Sequence, residues 1–278
     1  MKLTPSTRLM RIAFVGAGNV ATHLALAMHA AGWSVVAVYS RTQTSAVALA
    51  SRLGCVATDC LSALPEADVY VFSVVDNVLP TLLTTFTQQG RQGLWVHTAG
   101  SIPLSVFKGL HTEAGVLYPM QTFSKTKEVD FSQVPLFIEA TTSQSLEKIQ
   151  QIAHSLSPHV QVLDSQARGR MHVAAVFACN FVNHCYAHAA RLMEQSGLPF
   201  SLLWPLIDET AHKVHQLKPA DAQTGPAVRH DDAVMERHLE LLNDHPRQAE
   251  LYQLMSNSIM EWGTYQSEEV QNQKRKVE

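Results

Sequence analysis

The chain has 278 residues, of which 46% are hydrophobic, and a formal net charge of −3 at pH 7. This length suits one large domain or two ordinary ones, with enough apolar residues for a sizeable core. The near-neutral charge argues against a nucleic acid or an anionic membrane as partner, and no apolar run is long enough to cross a bilayer.

The first distinctive segment is a glycine-rich turn between two apolar runs. Arg11–Val15 and Val35–Tyr39 are predicted as buried strands, and Val20–Ala31 has a helical pattern. A strand, a glycine-rich turn, a helix and a second strand are typical of a dinucleotide-binding βαβ unit.

The turn is predicted to hold a pyrophosphate at the start of the helix. Gly16 permits a tight turn, Gly18 lets the backbone approach the phosphates, and Ala21 leaves room for the helix to pack on the strand. The predicted cofactor contacts in this turn are Gly16, Ala17, Gly18, Asn19 and Val20.

The loop after the second strand, Ser40-Arg41-Thr42, indicates which nucleotide is bound. NAD sites usually carry Asp or Glu about 20 residues beyond the glycines, but no acidic residue occurs between Gly18 and Gly54. A cation flanked by two hydroxyls would instead attract a ribose 2′-phosphate. We therefore predict NADP(H), bound by Ser40, Arg41 and Thr42; the alternative is that Arg41 only solvates a loop.

Apolar runs continue to alternate with helical patterns up to about residue 165. Such alternation favours a parallel sheet with helices on both faces. The further predicted strands are Val69–Val74, Leu94–His97, Gly115–Tyr118, Leu136–Glu139 and Val160–Leu163. The further predicted helices are Thr44–Leu53, Val78–Thr87 and Gln144–Leu156.

Beyond residue 165 the spacing of apolar residues is helical only, over Gln166–Glu194, Phe200–Leu217 and Ala233–Glu269. Residues 217–232 are predicted as an ordered loop. The fold class is therefore α/β, with a Rossmann-type, doubly wound, mostly parallel sheet over residues 1–165. An all-helical domain over residues 166–278 follows it.

Ligands gather at the carboxyl ends of the strands in a doubly wound sheet. Small residues after the predicted strand that ends at His97 leave room for a nicotinamide ring. The further predicted cofactor contacts are Ser73, Val74, Val75, Thr98, Ala99 and Gly100. His97 and Gln121 are candidate substrate contacts; the alternatives are a strand-end histidine with a satisfied partner and a purely structural turn.

The first helix of the helical domain carries polar residues in an apolar setting. At 100° per residue, His172, Val176, Cys179 and Asn183 form one stripe, with Asn180 at its edge. Buried polar groups need partners, so the helix either faces the nicotinamide or satisfies these groups within the core. In the first case His172, Asn180 and Asn183 are catalytic, with His172 as the proton donor because histidine titrates near neutrality.

A second polar segment, residues 223–232, offers Thr224 and Arg229 as candidate substrate contacts. The alternative is a turn between helices. No metal is expected, because His184 and His188 lack the glutamate of a zinc-protease helix.

Cysteine usage and the N-terminus predict a cytoplasmic protein. The four cysteines form no Cys-x-x-Cys pair, which is typical of reduced thiols. The first ten residues are polar and lack the apolar centre of a signal peptide.

Six motifs together resemble a family of bacterial proteins classed as NADP oxidoreductases. Those proteins have a Rossmann-like N-terminal domain and a helical C-terminal domain of unknown function, and the resemblance covers nearly the whole chain. The motifs are Gly16–Ala21, Ser40–Thr42, His97–Ser101, Tyr118–Ser124, Asn180–His184 and Gln223–Ala227.

The chain is more distantly similar to pyrroline-5-carboxylate reductase, through the Ala99-Gly100 turn and the Arg41 loop, and to the β-hydroxyacid dehydrogenases. It departs from the former, which has Lys-Pro after the strand that here ends in Val75-Asp76. It also lacks the catalytic lysine of the latter, since no lysine occurs between Lys148 and Lys213. The resemblance implies the fold, the cofactor and a homodimer formed through the helical domain.

These features predict an NADPH-dependent reductase that transfers hydride to a small C=O or C=N substrate. The missing lysine keeps open a non-enzymatic NADP(H)-binding sensor or scaffold. A third alternative is hydride exchange with a flavin or deazaflavin partner, as in some relatives of this fold.

Overall fold

The computed structural model describes residues 10–274, with side chains described up to residue 262. Residues 1–9, which carry most of the signal-peptide prediction, lie outside the described residues. The chain divides into two compact units, Met1–Phe181 and Val182–Glu278. In the described part of the chain, no helix is both long and apolar enough to cross a membrane.

The first unit contains one eight-stranded sheet with the strand order β3-β2-β1-β4-β5-β6-β7-β8. Strands β1 to β6 are parallel, whereas β7 pairs antiparallel with β6, and β8 pairs parallel with β7. The strands are β1 Arg11–Val15, β2 Ser34–Tyr39, β3 Val56–Thr58, β4 Val69–Phe72, β5 Leu94–His97, β6 Ala114–Pro119, β7 Leu136–Ala140 and β8 Val160–Val162. The predicted doubly wound, mostly parallel sheet is confirmed.

Five α-helices accompany the sheet in the first unit. They are α1 Asn19–Ala30, α2 Gln43–Leu53, α3 Leu79–Gln88, α4 Ser143–Leu156 and α5 Ser165–Ala175. Local signals set their ends: Gly54 ends α2 in the left-handed conformation, and Thr142 and Asp164 cap α4 and α5 with their side chains.

The alternation of side chains along β1 divides the core between the two faces of the sheet. Ile12 and Phe14 lie in a buried cluster with residues of α1, α2 and α4, whereas Ala13 and Val15 pack in a second cluster with residues of α3. All four are fully buried. Helices therefore cover both faces, as alternating strands and helices predict.

The second unit contains helices joined by turns and loops, with no strand among its described residues. Its helices are α6 Val182–Gln195, α7 Trp204–Gln216, α8 Pro219–Ala222, α9 Asp232–Leu241 and α10 Pro246–Lys274. The predicted helix Ala233–Glu269 is wrong as one element, because it breaks before Pro246, which opens α10 as proline does at a first helical position. The predicted loop 217–232 contains α8.

Between the two units' α-helices, residues Val176–Phe181 form a π-helix. Its hydrogen bonds run from residue i to i+5, so each turn holds more residues than an α-turn. The α-helical register that was assumed from His172 to Asn183 therefore does not hold across this segment. Helix α5 belongs to the same compact unit as the sheet. The domain boundary predicted at residue 165 stays a prediction.

Candidate active site

The glycine-rich turn lies where the ends of three strands meet. Gly16 has φ +123°, and a Cβ there would overlap the backbone carbonyl of Ser73, which follows β4. The Gly16 N–H donates to the Tyr39 carbonyl at 2.8 Å. Because β1 lies between β2 and β4, this is the point where the strand order reverses, at which doubly wound sheets bind their ligands.

The start of α1 fits a pyrophosphate. Gly18 occupies the N-cap, and no side chain in the described part of the chain caps this helix. A Cβ built on Gly18 meets no atom within 4 Å, so the space before the first-turn N–H groups is open. Unpaired N–H groups and the helix dipole favour an anion at such a position. Asn19 uses its side chain otherwise, since its Nδ2 donates to the Phe123 carbonyl at 2.9 Å.

The loop after β2 presents a cation that is free to bind phosphate. Arg41 is exposed and makes no hydrogen bond or ion pair with any side chain that the structure describes. Burial, then the charges of Asp59 and Cys60, raise the pKa of the adjacent Tyr39, and Arg41 opposes them. Asp59, at the end of β3, is an acidic neighbour that the sequence reasoning did not consider.

The loops after β4 and β5 are tied together by side chains. Thr98 Oγ1 donates to Ser73 Oγ at 3.1 Å, and both residues are buried. The Ser101 hydroxyl donates to the Asp76 carboxylate, so an acid also joins these loops. Val75 is largely exposed beside them. The structure therefore brings together the predicted cofactor residues that follow these two strands.

Two side chains meet beside Gly100, in the loop after β5. Tyr118 Oη, from the end of β6, lies 3.1 Å from Nδ1 of His172 on α5, and the two rings are nearly perpendicular at 78°. A Cβ on Gly100 would lie 2.6 Å from His172 Nδ1 and 2.9 Å from Tyr118 Cζ. His172 thus lies against the turn that is predicted to contact the nicotinamide.

An ion pair between a buried arginine and a partly buried glutamate anchors α5 to the sheet. Arg168, 1% exposed, pairs with Glu139 on β7 and donates from Nη2 to the Ile102 carbonyl at 2.7 Å. Ser165 Oγ donates to Glu139 Oε2 at 2.7 Å and accepts the Leu104 N–H at 2.8 Å. These bonds fix one helix, one strand and the loop that follows β5 relative to each other.

His97 is inside the core rather than open to solvent. Its ring stacks on Phe107, and Nδ1 accepts the Ala99 N–H at 3.2 Å. Nε2 has no hydrogen-bond partner among the described residues. Burial, and secondly the charge of Arg168, lower the pKa of His97 from 6.5 to about 3, so the ring is neutral at physiological pH.

The roles of several other predicted residues stay predictions. Asn180 is exposed on the π-helical segment, and exposed Gln121 accepts the N–H of the next residue, Thr122, at 2.8 Å. Asn183, Thr224 and Arg229 belong to the second unit, so their roles stay predictions. No group of three or more potential metal ligands occurs among the described residues.

Sequence reasoning missed the chemistry of Tyr118 and the anchoring pair of Arg168 and Glu139. The signal available for Tyr118, its position at the end of a predicted strand and before Pro119, does not distinguish catalysis from packing. The partnership of Glu139 with Arg168 had none, because they come from different elements and meet only in the folded sheet.

Two family models match the chain in order. Residues 11–96 match "NADP oxidoreductase coenzyme F420-dependent", and residues 134–259 match a domain of unknown function, DUF2520. No curated protein matches.

Solved structures resemble about nine-tenths of the chain. A "putative NADP oxidoreductase" from Bacteroides fragilis is 47% identical, with a TM-score of 0.87, and the match covers 91% of this chain and 98% of that chain. An imine reductase from Myxococcus stipitatus in complex with NADP⁺ is 17% identical with a TM-score of 0.65, covering 90% and 93%. Pyrroline carboxylate reductase from Plasmodium falciparum with NADP bound is 11% identical with a TM-score of 0.55, covering 90% and 99%.

The similarities to the imine reductase and to pyrroline carboxylate reductase support the fold alone. The similarity to the Bacteroides fragilis protein also supports membership of its family. The predicted resemblance is therefore confirmed, and NADP(H) agrees with both the family and the geometry at Gly16, Gly18 and Arg41. With 47% identity over 91% of its length, this chain belongs to the family of the Bacteroides fragilis protein, in which a Rossmann-type NADP oxidoreductase domain is followed by the domain of unknown function.

Proposed function

We propose that this protein is an NADPH-dependent reductase of a small C=O or C=N substrate. The observation that carries the proposal is the His172 imidazole beside Gly100, 2.6 Å from where a Cβ would lie. A titratable group thus lies at the edge of the sheet that also carries the nucleotide turn. Acid–base catalysis of reduction needs a proton source within reach of the hydride acceptor.

The chain's own residues divide the work. Backbone N–H groups at the start of α1 hold the pyrophosphate, Arg41 binds the 2′-phosphate, and the loop that contains Gly100 lies beside the nicotinamide ring. NADPH, when bound, supplies the hydride. His172 supplies the proton, and Asn180 orients the substrate. Gln121 is a weaker substrate contact.

Parallel titrations with NADPH and NADH, followed by nicotinamide fluorescence, test the cofactor assignment first. Wild type should bind NADPH more tightly, and Arg41→Ala should lose roughly 10- to 100-fold in NADPH affinity, the value of a charged hydrogen bond, with little change for NADH. Arg52→Ala, on α2 but outside the loop, is the matched control. Equal affinity of wild type for both nucleotides would refute NADP(H) selectivity.

Turnover is then measured with imines, ketoacids and aldehydes. His172→Ala should reduce turnover and leave NADPH affinity nearly unchanged. Loss of NADPH binding in that variant would make His172 structural. Wild type that binds NADPH but reduces none of these substrates would favour the sensor or scaffold alternative.

The family match over residues 11–96 favours a second candidate, hydride exchange between NADP(H) and a deazaflavin. The matching family model is described as coenzyme F420-dependent. Bleaching of deazaflavin absorbance on addition of NADPH and enzyme would support it. Unchanged absorbance, with reduction of an imine or carbonyl, would leave the first proposal alone.

We also propose that the protein is a cytoplasmic homodimer. Helices α6 and α7 have no buried residue, and large apolar side chains on the second unit are more than half exposed, among them Trp204, Leu206, Leu254 and Trp262. Exposed apolar surface of this kind marks an interface, and obligate dimers resemble a core cut in half. Light scattering after size exclusion should give twice the chain mass of 30.7 kDa; a monomer would refute the dimer.

A further inference from the structure

The geometry points to Tyr118 as the group that gives its proton to the reduced substrate, with His172 as the group that replaces it. This inference rests on the proposed reductase function and deepens it, because His172 then acts through a second side chain. Tyr118 is a catalytic residue in this scheme, and His172 is its proton source.

The first support is the direct contact between the two groups. Tyr118 Oη and His172 Nδ1 are 3.1 Å apart, within hydrogen-bond distance, with ring centroids 5.9 Å apart. The two residues are 54 positions apart in sequence and come from different elements, β6 and α5. A hydrogen bond between an imidazole and a phenol is the geometry that proton transfer between them requires.

Gly100 gives independent support. Its φ lies outside the left-handed region, so the backbone conformation does not require glycine. What requires glycine is space, since a Cβ would lie 2.6 Å from His172 Nδ1 and 2.9 Å from Tyr118 Cζ. The hydrogen-bonded pair therefore presses on the backbone of the turn that is expected to contact the nicotinamide.

The surroundings suit a proton donor that stays neutral. Tyr118 is only 8% exposed, and burial raises its pKa, while the charge of Arg168 partly opposes this shift. The phenol is thus neutral at physiological pH and has a proton to give. His172 is half-buried, so part of its surface is open to water.

The direction of the hydrogen bond decides whether the pair can act. If the phenol donates to a neutral imidazole, the single hydrogen of the phenol is used in that bond and cannot face the substrate. If protonated His172 donates from Nδ1 to Tyr118 Oη, the phenol hydrogen is free to face the substrate. The competent state is therefore an imidazolium beside a neutral phenol.

The proton transfer balances without a charged tyrosine. As hydride joins the substrate carbon, the electron pair of the C=O or C=N bond moves to the oxygen or nitrogen. That atom takes the hydrogen of Tyr118 Oη while Oη takes the hydrogen of His172 Nδ1. The O–H and N–H bonds of the donors break, one new bond forms to each acceptor, and neutral His172 then takes a proton from water.

Tyr118→Phe is the direct test, because it removes one oxygen and keeps the ring. Tyr252→Phe is a matched control: Tyr252 Oη also bonds a histidine Nδ1, that of His238, at 2.8 Å, within the second unit. Thermal unfolding first establishes that both variants fold. If Tyr118→Phe does not, His172→Gln, which cannot relay a proton between its amide and the phenol, takes its place.

The first readout needs neither cofactor nor substrate. The ¹⁵N resonance of His172 Nδ1, assigned by its loss in His172→Ala, should shift in Tyr118→Phe and stay in place in Tyr252→Phe. An unchanged resonance in Tyr118→Phe would mean that the hydrogen bond is absent and would overturn the inference.

The second readout is turnover of a substrate that wild type reduces. Tyr118→Phe should lower kcat by roughly 10²- to 10⁴-fold, the usual contribution of a positioned acid, with NADPH affinity unchanged. A kcat within threefold of wild type would overturn the role of Tyr118 and leave the reductase function intact. Wild type that binds NADPH and reduces nothing would instead refute the proposed function itself.

Discussion

The buried ring of His97 should make the stability of the sheet unit depend on pH. The folded chain holds this ring neutral, because burial and then the Arg168 charge lower its pKa from 6.5 to about 3. Protons therefore bind His97 more readily in the unfolded chain. The contribution of His97 is complete above pH 6.5 and is lost as pH falls toward 3.

The size of the effect follows from the shift. One pKa unit corresponds to about 1.4 kcal/mol, so lowering the pH from 8 to 5 should remove about 2 kcal/mol of unfolding free energy through His97. The full shift corresponds to roughly 4 to 5 kcal/mol at pH 3. Fully buried groups feel little solvent screening, which is why a shift this large is expected here.

Urea unfolding of wild type and His97→Asn at pH 8 and pH 5 measures this contribution. The Asn side-chain oxygen can still accept the Ala99 N–H that Nδ1 accepts, and other titrating groups cancel in the comparison. The variant should be less stable at pH 8, and its deficit should shrink by about 2 kcal/mol at pH 5. A deficit that is equal at both pH values would refute this account of His97.

Three further outcomes can be checked quickly. Gly16→Ala should cost about 3 kcal/mol or more by chemical unfolding, because of its positive φ and the overlap with the Ser73 carbonyl; a cost below 1 kcal/mol would contradict the geometry of the turn. Gly100→Ala should lose turnover while remaining folded by circular dichroism, since its Cβ would displace the two rings; full activity would contradict it. A neighbouring serine hydroxyl and backbone N–H groups lower the pKa of Cys60, whereas burial raises that of Cys55. Iodoacetamide followed by peptide mapping should therefore label Cys60 before Cys55. Labelling of Cys55 before Cys60 would contradict this expectation.

The elements that the sequence predicted well are those whose signals are local. The β1–α1–β2 unit has its glycines, its periodicity and its loop chemistry within 31 residues, from Arg11 to Arg41. Strand β3, Val56–Thr58, was missed because it has a single large apolar residue, whereas the equally short β8 has Val160 and Val162 two positions apart. The antiparallel direction of β7 has no counterpart in periodicity, since a strand has the same alternation in either direction.

Residues of the candidate site were predictable from the sequence only where the chemistry of a single side chain indicates its role. Arg41 stands out as a cation in the loop that follows the second strand, and His172 as an imidazole in an apolar helix. Tyr118 does not, because a tyrosine at a strand end is commonly packing, and only the neighbouring helix makes it a partner of His172. The predicted stripe from His172 to Asn183 assumes one α-helical register throughout. The π-helix at Val176–Phe181 changes that register, so the residues of the stripe do not share one face.

The ion pair that anchors α5 offers a test of how the site is held in place. Glu139→Gln would leave the Arg168 guanidinium, 1% exposed, without a countercharge, at a cost of roughly 3 to 5 kcal/mol. Arg168→Met with Glu139→Gln removes both charges, so the double variant should be more stable than the sum of the single variants by about 2 to 3 kcal/mol.

Additive losses in chemical unfolding would show that the pair is not coupled. If the coupling is present, Glu139→Gln should also shift the ¹⁵N resonance of His172, which lies one helical turn beyond Arg168. Arg170→Met, an exposed change on the same helix, should leave that resonance in place. A shift confined to Glu139→Gln would mean that the ion pair does more than stabilise the fold, because it would also set where α5 presents its imidazole to Tyr118.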